Sequence, residues 1–419
     1  MSSQIGVTSE IGRLRKVIVH RPDAGIARIS PRIAEELLFD DIVFLPQMQQ
    51  EHDLFTGVLR AFLGSENVLE AAILLQEALE ASPELKSELL QRICAEEELP
   101  RTVQALLENT APRELAEALI TGYCTEEDFI LFDPIPNFIF TRDIAVVVNR
   151  HVILTKAAKV ARFRENLLTR FIFSAHPLFE ELHRENRIIN LNDIEAFPPS
   201  RKGESVSIEG GDVMIINSDY LLVGSSERSS RYGIHSLTQK LFELGAIGNV
   251  VLINIPSDRS FMHIDTVFTH INRRHVVAYK PLVTEGISST VEVFRKDGSV
   301  FRYASVQDFF HAEIDPKMEF IYSGNGVSPY QEREQWTDGC NLLALRPGVA
   351  LAYDRNPRTE DAFRSAGYDI LPAETFLERI TTGGLNPERL ENTIITLPSS
   401  ELSRARGGSH CMSCPILRD

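Results

Sequence analysis

Positive charge, cysteine and long apolar runs are all in short supply, and each shortage closes off a class of function. Only 43 Lys and Arg stand against 59 Asp and Glu, a formal net charge of −16. Such a chain lacks the basic face that nucleic acids and anionic membranes need, so neither is expected as a partner. No apolar run approaches the ~20 residues of a membrane span. The first residues, Met1-Ser2-Ser3-Gln4-Ile5-Gly6-Val7, carry no charged stretch ahead of an apolar one, so no signal peptide is expected. The five cysteines, Cys94, Cys124, Cys340, Cys411 and Cys414, are an odd and sparse set in 419 residues. They read as reduced thiols in a cytoplasm rather than as a disulfide scaffold. Neither a Walker-type phosphate loop nor an HExxH motif occurs, so no nucleotide, metal or other cofactor is expected. What remains, 43% hydrophobic and 24% charged residues, is the mix of an ordinary globular protein of one to three domains.

The pattern along the chain changes twice. Lys16-Val17-Ile18-Val19-His20 reads as a strand, and Ser30-Pro31 as the start of the first helix, with Ser30 as N-cap. From 65 to 123 the composition turns to Ala, Leu and Glu, and predicts four short helices, over 66–80, 83–98, 101–109 and 112–123. This segment reads as a helical subdomain inserted into a catalytic body made of 1–64 and 124–419. After Phe129, four hairpin patterns recur, over 145–155, 213–224, 267–279 and 342–353. Helical stretches follow three of them, at 159–170, 231–244 and 359–366. The chain start and the stretch after Cys411 could complete a fifth unit. Such a repeat predicts an α/β fold with sheets arranged about a centre.

The polar motifs fall at the entrances of these hairpins. Asn137 to Asp143 precedes the first, Glu209-Gly210-Gly211-Asp212 the second and His263-Ile264-Asp265 the third. Near the C-terminus, Gly407 and Gly408 lead into Cys411, and the pair is expected to take positive φ and bring backbone close to a ligand. Cys, His and Glu are the residue types of nucleophilic catalysis. Asp143 and Asp265 add paired acceptors suited to the fixed donor fork of a guanidinium. In that arrangement Cys411 attacks the guanidinium carbon, His263 acts as acid and base, and Glu209 orients the imidazole.

With these motifs in order, the chain resembles the arginine deiminases of the guanidine-modifying superfamily. The likeness rests on Phe140-Thr141-Arg142-Asp143, Glu209 to Asp212, His263 with Asp265, and Gly407-Gly408 ahead of Cys411. Leu38 to Asp41, Glu51-His52-Asp53 and the helical insertion also match. The resemblance implies a five-bladed α/β propeller and hydrolysis of free L-arginine to L-citrulline and ammonia through a covalent cysteine intermediate. It implies that Arg162, Arg228 and Arg406 hold the substrate carboxylate and that Asn137 and Phe140 line the pocket. One departure is Ile144-Ala145, where the family pattern has Pro and an aromatic residue.

Other readings stand beside this one. An amidinotransferase would use the same cysteine but pass the amidino group to an amine. A dimethylarginine hydrolase would need room at the guanidinium nitrogens, and an agmatine deiminase would leave the three arginines without a carboxylate. Cys411-x-x-Cys414 could be a redox or metal motif, yet only His410 lies near it as a further ligand. The sequence leaves the formation of homo-oligomers open.

Overall fold

The computed structural model describes residues 5–125, 127–287 and 289–419. Its strands lie in five sheets of three or more strands and one two-stranded ribbon. All four hairpins form: Ala145–Val148 with His151–Leu154, Val213–Asn217 with Tyr220–Ser225, Phe268–Asn272 with His275–Ala278, and Leu343–Arg346 with Val349–Tyr353. β-branched residues dominate the first of them. Asn149, at φ +52°, makes its tight turn.

Each hairpin then gains a third strand parallel to its second one. These are Ile188–Asn190, Asn249–Asn254, Glu319–Tyr322 and Thr393–Leu397. A parallel neighbour requires a crossover, and helical segments supply it. The chain ends build the same unit. Cys414–Arg418 pairs antiparallel with Leu14–Val19, and Val68–Glu70 pairs parallel with Leu14–Val19 after the helix Leu45–Leu63. The expected fifth unit therefore exists, and the strand after Cys411 belongs to it. Among the described residues no sheet closes on itself.

The segment expected as a helical insertion forms four helices, Ala71–Ala81, Pro83–Glu96, Arg101–Asn109 and Pro112–Thr121. The expected start at 66 is too early, because Val68–Glu70 is spent on pairing with Leu14–Val19. The inner faces of these helices, with Leu75, Leu90 and Leu119, share one core with Val146, Val152 and Phe171. The helix predicted from Ser30 does not form. Turn bonds run from Ala34 N–H to Ser30 and from Leu37 N–H to Ile33, but Leu38 takes φ +65° and ends them. Asn137 Nδ2 then donates to the Leu37 carbonyl at 2.8 Å, fastening this segment over the body. The helix expected from Lys159 begins at Phe163, since residues 160–162 make a tighter turn first.

Candidate active site

The segments ahead of the four hairpins and of strand Cys414–Arg418 carry residues that meet at one place. Short tight turns, Thr141–Asp143, Gly210–Asp212 and Ile264–Thr266, aim three of these segments inward. Arg142 N–H donates to the Cys411 carbonyl at 3.0 Å, which binds the first motif to the last. Glycine makes the crowding feasible. A Cβ on Gly211 would stand 2.5 Å from His263 Nδ1, and one on Gly407 would stand 2.3 Å from Phe140 Cε1. Positive φ, expected at Gly407 and Gly408, falls instead on Arg406, at φ +64°. The glycines here serve close approach, to Phe140 and to Asn341.

One half of the site is a carboxylate–imidazole cluster. His263 Nε2 lies 2.9 Å from Glu209 Oε2, and His263 Nδ1 lies 3.9 Å from Asp143 Oδ1. Asp143 Oδ1 accepts the Gly211 N–H at 2.9 Å. The ligand atoms of Asp143, Glu209 and His263 lie within 4.8 Å of one another, a spacing that suits a cation. A cation does sit among them: Arg162 Nη1 lies 2.6 Å from Asp143 Oδ2 and 3.2 Å from Glu209 Oε2. Its other face meets Glu165 at 2.8 Å.

Burial works against charge on His263, but Asp143, Glu209 and Asp212 outweigh it and push its pKa up to about 10. Burial likewise works against charge on Glu209, yet Arg162, His263 and Arg228 bring its pKa down to about 2. The pair is thus imidazolium and carboxylate at neutral pH. Relative to the unfolded chain, the Glu209 contribution to stability is lost as pH falls toward about 2. The His263 contribution is present below its ordinary value and is lost as pH rises through about 10.

The other half surrounds the sulfur. Cys411 Sγ lies 3.3 Å from Asp265 Oδ2 and 3.1 Å from Asn341 Nδ2. Burial, then the carboxylates Asp265, Asp143 and Asp338, push the Cys411 thiol well above its ordinary pKa. Burial would raise Asp265 as well, but its bond to His410 and the charges of His410, His263 and Arg142 hold it below the usual range. Asp265 Oδ2 takes the His410 Nδ1 contact at 2.9 Å, whereas Asp265 Oδ1 is buried with no hydrogen-bond partner among the described residues.

All ten residues singled out from the sequence are buried. Arg228 is 2% exposed and lies 3.8 Å from Glu209 and 3.9 Å from Glu227, and its buried Nε makes no hydrogen bond among the described residues. Arg406 lies over the Trp336 ring, 3.3 Å from its centroid; its buried Nη1 lies 3.8 Å from Asp40 and makes no hydrogen bond among the described residues. Arg162 differs from these two, being already held by three carboxylates. Asn137 anchors Leu37, and Phe140 packs on Gly407.

Sequence reasoning misses Asn341 and His410 as members of the site. Asn341 Oδ1 accepts the N–H groups of His410 and Cys411, at 3.1 and 3.2 Å, while its Nδ2 reaches the sulfur. Its signal is its place, directly ahead of the fourth hairpin, where the other three hairpins carry their motifs. His410 reads from sequence only as a metal ligand. It links Asp265 to Glu10, whose carboxylate lies 2.5 Å from Arg142.

Known proteins resemble this chain in sequence and in fold. The family model described as arginine deiminase matches residues 35–125 and 106–418. Arginine deiminase of Listeria monocytogenes is 32% identical over 443 residues, covering 100% of this chain and 99% of that protein. Arginine deiminase of Rhodococcus erythropolis is 33% identical over 447 residues, covering 100% and 98%. The N-terminal domain of ArgZ, a cyanobacterial arginine dihydrolase solved with product, aligns with TM-score 0.52 at 13% identity, covering 97% and 98%. SxtG, an amidinotransferase from Microseira wollei, aligns with TM-score 0.53 at 12% identity, covering 99% and 97%. The structural likeness concerns the α/β fold alone.

Proposed function

We propose that in this chain, which belongs to the arginine deiminase family and is a hydrolase of the arginine guanidino C–N bond, the buried cluster around Cys411 is where free L-arginine becomes L-citrulline and ammonia through a cysteine intermediate. One observation carries the assignment. The sulfur lies 3.3 Å from Asp265, whose other oxygen is a buried acceptor without a partner among the described residues. A guanidinium placed there gives its N–H to that oxygen and puts its carbon beside the sulfur.

The remaining groups then take their roles. Asp143 clamps the opposite side of the guanidinium; its 2.6 Å contact with Arg162 supports this, because that partner is itself a guanidinium. Arg228 and Arg406, whose buried Nε and Nη1 make no hydrogen bond among the described residues, receive the substrate carboxylate. Arg162 joins them only by loosening its hold on Asp143, so arginine binding and release of Asp143 are one exchange. Asn137 and Phe140 close the pocket wall.

The arriving cation offsets the carboxylates that keep Cys411 protonated, and with substrate in place the thiol gives up its proton to water and becomes the thiolate. Sulfur then bonds to the guanidinium carbon, and one C–N bond breaks. The imidazolium of His263 supplies the proton to the departing ammonia. The neutral imidazole next takes a proton from water, whose oxygen bonds to the same carbon. Collapse breaks the C–S bond, and the proton left on the new oxygen passes to the departing sulfur, which frees citrulline and restores the Cys411 thiol. The ArgZ domain has been solved covalently bound to a reaction intermediate, which supports an adduct of this kind.

The same reading takes the five sheets as blades of an α/β propeller. In its favour, each sheet has the hairpin-plus-parallel-strand unit, and the segments ahead of the four hairpins and of strand Cys414–Arg418 reach the site. A cytoplasmic setting belongs to the reading too, and the five unpaired cysteines favour it. No helix among the described residues is long and apolar enough to cross a membrane.

Purified protein with L-arginine should yield citrulline and ammonia in equal amounts, and failure to do so removes the assignment. Arg228→Ala tests the carboxylate clamp. Loss of a buried bond between charged groups costs about 1.5–3 kcal/mol, roughly 10- to 150-fold in kcat/KM for L-arginine. Agmatine, which has no carboxylate, should lose far less. Equal turnover of agmatine and L-arginine by the parent enzyme would show that the clamp does not select the substrate.

A further inference from the structure

A second cleft, of about 1110 Å³, opens between the helical insertion and the second sheet. None of the side chains assigned to the Cys411 site lines it. Its size reaches the upper end of small-molecule pockets. Three cations face it from different elements: Arg92 on helix Pro83–Glu96, Arg170 on helix Phe163–Ala175, and Lys156 just beyond strand His151–Leu154.

Their surroundings set them apart from the other cations of the cleft. Arg164 pairs with Glu97 and donates to the Leu119 carbonyl, and Lys159 lies 2.9 Å from Glu227. Arg92, Arg170 and Lys156 have no carboxylate within ion-pair distance among the described residues. Arg92 lies over the Phe163 ring, 6.0 Å from its centroid, and its side chain makes no hydrogen bond among the described residues. Arg170 is half-buried, and both burial and the charge of Arg92 lower its pKa. The acid that counters them most, Asp193, is turned to its own chain and accepts the N–H groups of Glu195 and Ala196. Glu36, Glu96, Asp133 and Glu195 also line the cleft, but they are exposed to water. Two neighbouring guanidiniums without a counter-charge repel each other, and a shared anion removes that repulsion.

We propose that Arg92, Arg170 and Lys156 form a binding site for a compact phosphoryl dianion, either free phosphate or the phosphate of a small metabolite. Two planar forks and one point charge match the oxygens and the charge of such a group. The exposed carboxylates that share the cleft act against extended polyanions and so restrict the ligand in size. This assignment does not depend on the chemistry at Cys411.

The test is calorimetric titration of the full chain with inorganic phosphate and, separately, with adenosine monophosphate. The parent should bind at least one of them saturably, and Arg92→Gln and Arg170→Gln should each weaken that binding about tenfold or more. Arg170→Lys, which keeps the charge but loses the fork, should fall between parent and Arg170→Gln. Arg228→Ala should leave it unchanged, which separates this cleft from the arginine site. Tighter binding of the nucleotide identifies a carried phosphoryl group, and tighter binding of phosphate the free ion; both uphold the site. Absence of saturable binding by either probe overturns it. So does binding equal in the parent and in Arg92→Gln, a variant at an exposed position that tests the site without disturbing the core.

Discussion

Cys411→Ser is expected to lower kcat by at least about 10⁴-fold while the fold stays intact. The serine hydroxyl is far less acidic than a thiol, and Cys411 sits in surroundings that oppose even thiolate formation. Burial removes water, and Asp265, Asp143 and Asp338 place negative charge around the sulfur. Only a bound cation reverses that field, and a cation able to rescue a thiol does not suffice for an alcohol. Citrulline formation under saturating L-arginine measures the loss, and circular dichroism confirms the fold. Residual turnover above about a hundredth of the parent rate would remove Cys411 from its role. Cys414→Ser is the internal control. Its sulfur faces the Ala145 carbonyl at 3.2 Å, and burial pushes its pKa up to about 12. That variant should keep most of the parent rate. If it were as inactive as Cys411→Ser, a two-thiol mechanism would replace the single-thiol one.

The parts of this fold that are legible in the sequence are those with local causes. The four hairpins announce themselves through β-branched arms and turn residues, and their registers follow from the turns. The catalytic motifs are legible because each sits immediately before one of those hairpins. The helix expected from Ser30 fails, because a good N-cap and a proline do not reveal that Leu38 will break the run. The strand Val68–Glu70 is hidden as well. Three residues carry no periodicity, and their state depends on pairing with Leu14–Val19, far away in sequence.

Side-chain partnership is the least legible property. Arg162, Arg228 and Arg406 look alike as sequence, yet Arg162 is held closely by three carboxylates while the other two have carboxylates no nearer than 3.8 Å and keep donors without a hydrogen bond among the described residues. The difference comes from Glu165, one helical turn beyond Arg162, which faces the same cluster. Asn341 and His410 stay hidden for a related reason. Neither is part of a charge pattern, and their value lies in atoms they reach across 70 and 145 residues of chain, Cys411 and Asp265.

Asp265→Asn should move two measurements in opposite directions. Asp265 is the carboxylate nearest to the sulfur and, after burial, the foremost cause of its raised pKa. Without that charge the free thiol becomes more acidic, so alkylation by a neutral reagent such as iodoacetamide should become faster near pH 7. Turnover should fall for separate reasons. The unpartnered Asp265 oxygen would no longer offer a charged acceptor to the guanidinium, and the His410 contact at 2.9 Å would lose its ionic partner. Two charge-assisted bonds at about 1.5–3 kcal/mol each predict a drop in kcat/KM of roughly 10²- to 10⁴-fold. A mere packing defect would slow turnover without accelerating alkylation, and a mere loosening of the pocket would leave the pH midpoint of alkylation where it was. The combination sought is therefore a lower alkylation midpoint together with at least about a hundredfold loss in kcat/KM. If kcat/KM stays within tenfold of the parent value, Asp265 does not clamp the substrate, and the guanidinium must be held by Asp143 from one side only.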